Sequence, residues 1–431
     1  MNNLEVSAFA FATPNMGEQN QLLGAFKAIS DITGVPNNGE NNFLLPPQAE
    51  KLSDVKETIA YSKYPSYKEF RKDIYAAIDK YLQNGNTVPG IFLIAYNQAQ
   101  NKAAGENVDM ACRAVKEYYK EHNLGNIITG VLTSRLHKYQ YVDLIHVPKH
   151  LLTLNARIRL LQNKKLKKKT LITIGTINNF NRRTVKEKNT ELLKTLKKYK
   201  EDTSLLAQIQ KLEWFINNSK KIVLCLGGRV DGSEIIFDLN YAKKIFDDAE
   251  KLSKSGYGIA IVNGPRTPND VTDFLYEKSL QTPHIIFQNC KKIAEDDSDR
   301  TAQRWRIYSG KNEEAFKNLQ KIGNIYPGIL GFENTLVMHT IDSYSCCETA
   351  NAAIPTAISS KGLYIDASLR YDCLNLQKLL CPKYAIDWDD FVKLACHMRV
   401  EPKDLNPQIL SSPLRVFAET IINRINTLQK K

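Results

Sequence analysis

The chain has 431 residues, too many for one ordinary hydrophobic core, so two domains are expected. Hydrophobic residues make up 43% of it and charged residues 24%, a balance that excludes a disordered chain, and no run reaches the ~20 apolar residues of a membrane span. Lys and Arg number 59 against 46 Asp and Glu; the net charge of +13 favours anionic partners such as phosphorylated small molecules, acidic membrane surfaces or nucleic acid.

In chain order, Met1-Asn2-Asn3-Leu4-Glu5-Val6 lacks the basic-then-apolar order of a secretion signal. Val6–Ala12 is predicted as a short buried strand, and Leu22, Leu23, Phe26 and Ile29 then share one face of a helix. Residues 31–60 are rich in Gly, Pro and Asn and are predicted as mostly loop. Lys51–Leu82 is predicted helical with an interruption at Pro65. Ile91–Ala95, Ile127–Leu132 and Val142–Val147 are further strands, with a helix over Met110–Tyr119. Lys164–Lys169 holds five lysines in six positions and reads as an exposed connection; no aromatic residues alternate with them as a stacking surface for single strands needs. Thr184–Lys221 is basic, helix-rich and poor in Gly and Pro. It is the natural connection, which puts the boundary near residue 215 and the domains at 1–214 and 215–431.

The second half repeats one construction three times: an apolar strand, a short polar loop, a helix start. Ile222–Leu226 runs into Gly227-Gly228-Arg229, Gly258–Asn263 into Gly264-Pro265-Arg266-Thr267-Pro268, and Thr335–His339 into Thr340-Ile341-Asp342-Ser343-Tyr344-Ser345. In a parallel sheet such loops share the carboxyl edge, where α/β proteins bind ligands. Gly227 and Gly228 let backbone N–H groups approach an anion, although two glycines at a strand end also suit a tight turn. Thr267 fits an N-cap with Pro268 in the first turn, but Arg266 beside a helix N-terminus makes sense chiefly if an anion lies between them. Ser345 and Glu348 fit a capping box; Glu348 could equally accept the two hydroxyls of a ribose. After residue 362 the pattern is less regular and ends in an amphipathic helix with Val416, Ile421, Ile422 and Ile425, expected to pack back on the N-terminal domain. The eight cysteines contain no CxxC and the seven histidines no metal-ligand spacing, so no zinc site and no disulfide framework is expected, and a reducing cytosol is the expected compartment. His146 reads as a core histidine; His137 and His150 are acid/base candidates on loop-like ground.

Taken in order, these residues resemble the elongated-mitochondria (ELM) mitochondrial fission family. Gly17-Glu18-Gln19-Asn20-Gln21-Leu22-Leu23-Gly24 is similar to its glycine-x-x-asparagine-glutamine-x-x-glycine opening. Ser134-Arg135 followed by Tyr141–His150 is similar to its arginine and "FDLVVxPxHD" segment, with Leu151 in place of the last acid. Leu226-Gly227-Gly228, Arg266-Thr267-Pro268, Asp342–Ser345 with Glu348, and Ala353–Ala357 resemble its "GGxS", "SxRTP", "ADSVSMxxE" and "GKPVYV" segments, with Asp231-Gly232 lengthening the first glycine loop.

The resemblance implies an α/β fold of two Rossmann-like domains facing a central cleft, glycosyltransferase-B-like, with parallel sheets flanked by helices. It implies a nucleotide-diphosphate sugar as donor and glycosyl transfer with no obligatory metal or cofactor. The diphosphate would meet Gly227, Gly228, Arg229, Arg266, Thr267, Ser343, Tyr344 and Ser345, with Glu348 on the ribose, and the base would be Glu18, His137 or Asp143. The alternative from the same family is a non-catalytic adaptor that recruits a dynamin-like fission protein to a membrane. A nucleic-acid partner is not expected, and the location is cytoplasmic or peripheral to a membrane.

Overall fold

The computed structural model describes residues 5–95, 102–132, 135–227, 235–293, 307–340, 345–359, 363–364, 367–398, 400–405 and 408–429. They form two compact units, 1–179 with 411–431 and 180–410.

The first unit is a six-stranded sheet of β1 (Glu5–Phe11), β2 (Phe43–Leu44), β3 (Pro89–Ala95), β4 (Ile128–Leu132), β5 (Leu144–Pro148) and β6 (Thr170–Thr173). The order is β2-β1-β3-β4-β5-β6 and every pairing is parallel. Its helices are α1 (Met16–Thr33), α2 (Tyr67–Gln83), α3 (Lys102–Glu121), α4 (Leu154–Gln162) and α5 (Lys164–Lys169). β3 and β4 are buried throughout because both faces of the sheet are covered. Phe9, Phe92, Ile74 and Val115 pack on one face, and Ala10, Leu93, Phe26 and Ile29 on the other. The C-terminal helix, Pro413–Gln429, adds Phe417, Ile421 and Ile425 to the second of these cores.

Two segments differ from expectation. Of Lys51–Leu82, only the part from Tyr67 is α-helical, capped by Ser66, and the rest holds short 3-10 turns at Leu52–Asp54 and Tyr61–Lys63. Pro65 disfavours helical geometry at Tyr64, which sits at φ −110 and ψ 141. Lys164–Lys169 is a short helix rather than an irregular connection: the Asn163 side chain accepts the Leu166 N–H, and Leu166 is buried in the core.

The second unit holds β7 (Lys221–Cys225), β8 (Ile235–Ile236), β9 (Gly258–Val262), β10 (Ile285–Gln288), β11 (Lys292–Ile293), β12 (Ile307–Tyr308), β13 (Thr335–His339), β14 (Thr356–Ile358), β15 (Leu363–Tyr364) and β16 (Ile386–Asp387). The main sheet runs β10-β9-β7-β13-β14-β16, all parallel; β11 pairs with β12 and β8 with β15. Numbered along the chain, its six strands follow the Rossmann order, with the reversal between β7 and β13. Its first helices are α6 (Arg182–Lys198), α7 (Leu206–Asn217), α8 (Leu239–Lys254) and α9 (Asn269–Gln281).

The division between the units falls after Asn179 rather than near residue 215. α6 has a basic outer face, but its Val185, Leu192 and Leu196, with Ile209, Leu212 and Phe215 of α7, pack against Val223, Cys225 and Ala260 of the second sheet. The segment after residue 362 is also more regular than expected, with helices at Ala367–Leu380 and Trp388–Met398 around β16. Trp388 Nε1 donates to Asp248 Oδ2 on α8 at 3.1 Å. Among the described residues no helix is long and apolar enough to cross a membrane.

Candidate functional site

Parallel strands end on one side, so the residues after β7, β9 and β13 share the carboxyl edge of the second sheet. A crevice forms at the strand reversal because connections leave it toward opposite faces. Gly227 follows β7, Gly264–Thr267 follow β9, and Thr340 follows β13.

Hydrogen bonds join these three loops into one floor. The Gly227 N–H donates to Thr340 Oγ1 at 2.6 Å. Thr267 Oγ1 donates to the Gly227 carbonyl at 2.6 Å and accepts the Gly264 N–H at 2.9 Å. The Thr340 N–H reaches the Cys225 carbonyl and the Leu226 N–H the Val262 carbonyl, which extends the ladder past the strand ends. Gly264 has no room for a side chain, since a Cβ there would stand 2.6 Å from the Leu226 carbonyl oxygen.

Thr267 is therefore not the N-cap expected from sequence. α9 starts at Asn269 with Pro268 in the cap position, at φ −56 and ψ 151. Thr267 lies one residue earlier, buried, with its hydroxyl tied to the neighbouring loop. Arg266, next to it, is exposed.

Sequence reasoning passed over Lys291. Its ammonium is buried and donates to the Thr267 carbonyl at 2.9 Å and to Asn269 Oδ1 at 2.6 Å, bracing the loop that carries Arg266. Burial pulls its pKa down to about 8, with Asp270 and Asp273 acting in the opposite direction. The signal was there: the apolar strand Ile285–Gln288 followed by Asn289-Cys290-Lys291 is another strand–loop unit. Asn263 completes the brace, donating to Thr272 Oγ1 and Asn289 Oδ1 and accepting the Cys290 N–H.

The helix Ser345–Asn351 carries Glu348 in its first turn. Ser345 Oγ lies 3.1 Å from Nδ1 of His339, whose Nε2 is 3.0 Å from Thr349 Oγ1. Burial lowers the His339 pKa to about 3, so this imidazole is neutral and structural. The residue Glu348 retains some solvent exposure, but burial of its carboxyl pushes its pKa up to about 7. The Cys225 thiol and the Tyr326 hydroxyl are held protonated, mainly by burial and also by the charge of Glu348. Gly228, Arg229, Ser343 and Tyr344 lie outside the described residues, as do Asp231 and Gly232.

In the first unit, Glu18 is buried at the start of α1, and its Oε2 accepts from Thr13 Oγ1 at 2.7 Å, just past the end of β1. His137 lies in the loop after β4 and packs on Gly105 near the start of α3, where a Cβ would come within 2.9 Å of the ring. Burial lowers the His137 pKa, and Arg159 and Arg135 lower it further. His150 is buried in a turn after β5, with a pKa lowered to about 3 by burial and by Arg135.

Asp143 is not brought to that edge. It precedes β5 and so lies at the amino end of the sheet, where Oδ2 accepts the Thr129 N–H at 2.9 Å and Lys116 Nζ at 2.7 Å. Its carbonyl accepts from the Arg424 guanidinium of the C-terminal helix. These contacts make it a tie between β4, β5 and α3. Among the described residues no group of three or more His, Cys, Asp or Glu side chains could hold a metal ion.

No protein-family model and no curated protein matches the chain. Solved structures similar to it include the UDP-GlcNAc 2-epimerase of Methanocaldococcus jannaschii in complex with UDP-GlcNAc and UDP, at 13% identity and a TM-score of 0.42 over 97% of this chain and 99% of that one. The UDP-GlcNAc 2-epimerase of Neisseria meningitidis bound to UDP-GlcNAc is similar at 11% identity and 0.44, over 97% and 99%. MurG of Acinetobacter baumannii is similar at 10% identity and 0.36, over 99% of both chains.

Proposed function

We propose that the second unit binds the nucleoside diphosphate of a nucleotide sugar at the carboxyl edge of its sheet, and that the protein is a glycosyltransferase of the glycosyltransferase-B-like type. What supports this most is the bonding of Gly227, Gly264, Thr267 and Thr340 into one floor at the strand reversal, with Arg266 exposed beside it. Arg266 would pair with the diphosphate, and the first N–H groups of α9 would face the same charge. Glu348 would accept hydrogen bonds from the ribose.

In such a transfer the bond from the anomeric carbon to the diphosphate oxygen breaks as the bond to the acceptor oxygen forms. Negative charge gathers on the diphosphate, where a preorganised cation lowers the barrier, so no metal ion is obligatory. The acceptor proton passes to a base. His137 would be that base: burial, Arg159 and Arg135 hold its imidazole neutral, which leaves its nitrogen open to a proton while weakening it as an acceptor. Membership of the ELM family is part of the same proposal, since its motif residues Gly227, Arg266, Thr267 and Glu348 follow strands of one sheet.

A thermal-shift panel of nucleosides, nucleoside diphosphates and nucleotide sugars tests this reading. One diphosphate at about a hundredfold excess over its Kd should stabilise the fold by about 2.7 kcal/mol. A panel in which no diphosphate moves the melting temperature would remove the proposal.

A further inference from the structure

We propose that α4 and α5 of the first unit form a docking face for an anionic lipid bilayer. α4 carries two apolar stripes. Ala156 and Leu160 enter the core, whereas Leu154, Ile158 and Leu161, spaced by four and three residues, form a second stripe in water. Leu154 is 70% exposed and Leu161 77%, values that a surface helix with one buried face does not require. Ile172 on the edge strand β6 is also exposed.

The charge around this stripe has one sign. Between Asp143 and Glu187 the sequence contains no acidic residue. The exposed Arg157 lies on α4 and five lysines make up α5; no ion pair of any of these six is present among the described residues. Lysines three and four apart on α5 repel one another and oppose the helix. The helix is nonetheless held in place: Asn163 caps it, Leu166 anchors it, and Arg424 Nη2 donates to the Lys168 carbonyl at 2.5 Å. The fold thus fixes a cluster of uncompensated positive charge directly after a row of exposed aliphatic side chains. Acidic headgroups would neutralise the lysines while Leu154, Ile158 and Leu161 enter the acyl boundary. A nucleic acid fits less well, because residues 151–172 contain no aromatic ring on which a base could stack.

Co-sedimentation of the full chain with vesicles tests this, using phosphatidylcholine alone and phosphatidylcholine mixed with phosphatidylserine. Two variants accompany it: Leu154→Ser with Leu161→Ser, and Lys164→Gln with Lys165→Gln, Lys167→Gln and Lys168→Gln. All six side chains are exposed, so the melting temperature should be kept. The expected result is partitioning onto the mixed vesicles that falls at least about tenfold on neutral vesicles and at least about tenfold in each variant. Equal partitioning onto both vesicles, no partitioning, or wild-type partitioning of either variant would overturn the proposal. So would binding of a single-stranded RNA oligonucleotide that the glutamine variant loses and the serine variant keeps, with the vesicles left unbound.

Discussion

Thr267 Oγ1 sits 2.6 Å from the carbonyl oxygen of Gly227, a residue forty positions earlier in the chain. The bond joins the loop after the first strand of the second sheet to the loop after the second, and Thr340 joins the loop after the fourth through the Gly227 N–H. The backbone beside Arg266 is therefore ordered by the protein itself. A site built this way needs little reorganisation when charge arrives.

Thr267→Val should destabilise the second unit by about 1–3 kcal/mol, because it leaves the Gly227 carbonyl and the Gly264 N–H without their partner at a buried position. Affinity for a nucleoside diphosphate should fall with it. Thr267→Ser keeps the hydroxyl and should restore most of both. Urea denaturation and calorimetric titration of the two variants measure this; a Val variant as stable as the wild type would mean that the bond does not order the loops.

Glu348 makes stability depend on pH. Its folded pKa of about 7 lies above the ordinary 4.5, so the folded state holds the extra proton between those values. Stability therefore falls as pH rises through that window, and the deficit is complete above it. Glu348→Gln removes the charge that burial disfavours. Its melting temperature should exceed that of the wild type at about pH 8 and lose that margin at about pH 4, below the ordinary carboxyl value. The same variant should bind nucleosides more weakly by about tenfold if the carboxylate holds a ribose. A margin independent of pH would show that Glu348 is ionised in the fold across the whole range.

Buried parallel strands such as Ile222–Leu226 and Gly258–Val262 are legible in sequence because sheets covered on both faces need unbroken apolar runs. The motif loops are legible for a related reason: each follows directly on such a run. Strand order is set by long-range pairing, so nothing local announces that β13 lies beside β7 and completes the reversal. Thr267 reads locally as a cap, and only the neighbouring Gly227 loop reveals its other partner. α6 looks like a linker because its lysines and arginines dominate the composition, while a few apolar residues on α6 and α7 fix both helices under the second sheet. Asp143 looks catalytic through the family resemblance alone; its place at the start of the Val142–Val147 run already sets it at the amino end of a parallel strand, away from the carboxyl edge.

Asp143→Ala should act on stability alone. It removes a carboxylate that binds Lys116 and the Thr129 backbone, worth about 2 kcal/mol for a half-exposed, charge-assisted pair. Affinity for any nucleoside diphosphate should match the wild type. Loss of affinity at unchanged stability would return Asp143 to the list of site residues.

Binding of a nucleoside diphosphate at Arg266 is tested most directly by calorimetric titration of the wild type and Arg266→Ala with a nucleoside and its diphosphate. Arg266 is exposed, and the melting temperature of the variant, measured alongside, separates a change in affinity from a change in stability. A charge-assisted hydrogen bond is worth about 1.5–3 kcal/mol, so the variant should bind the diphosphate at least about tenfold more weakly and the nucleoside almost as well as before. Equal losses for both ligands, or wild-type affinity of the variant for the diphosphate, would contradict the assignment of this edge to phosphate.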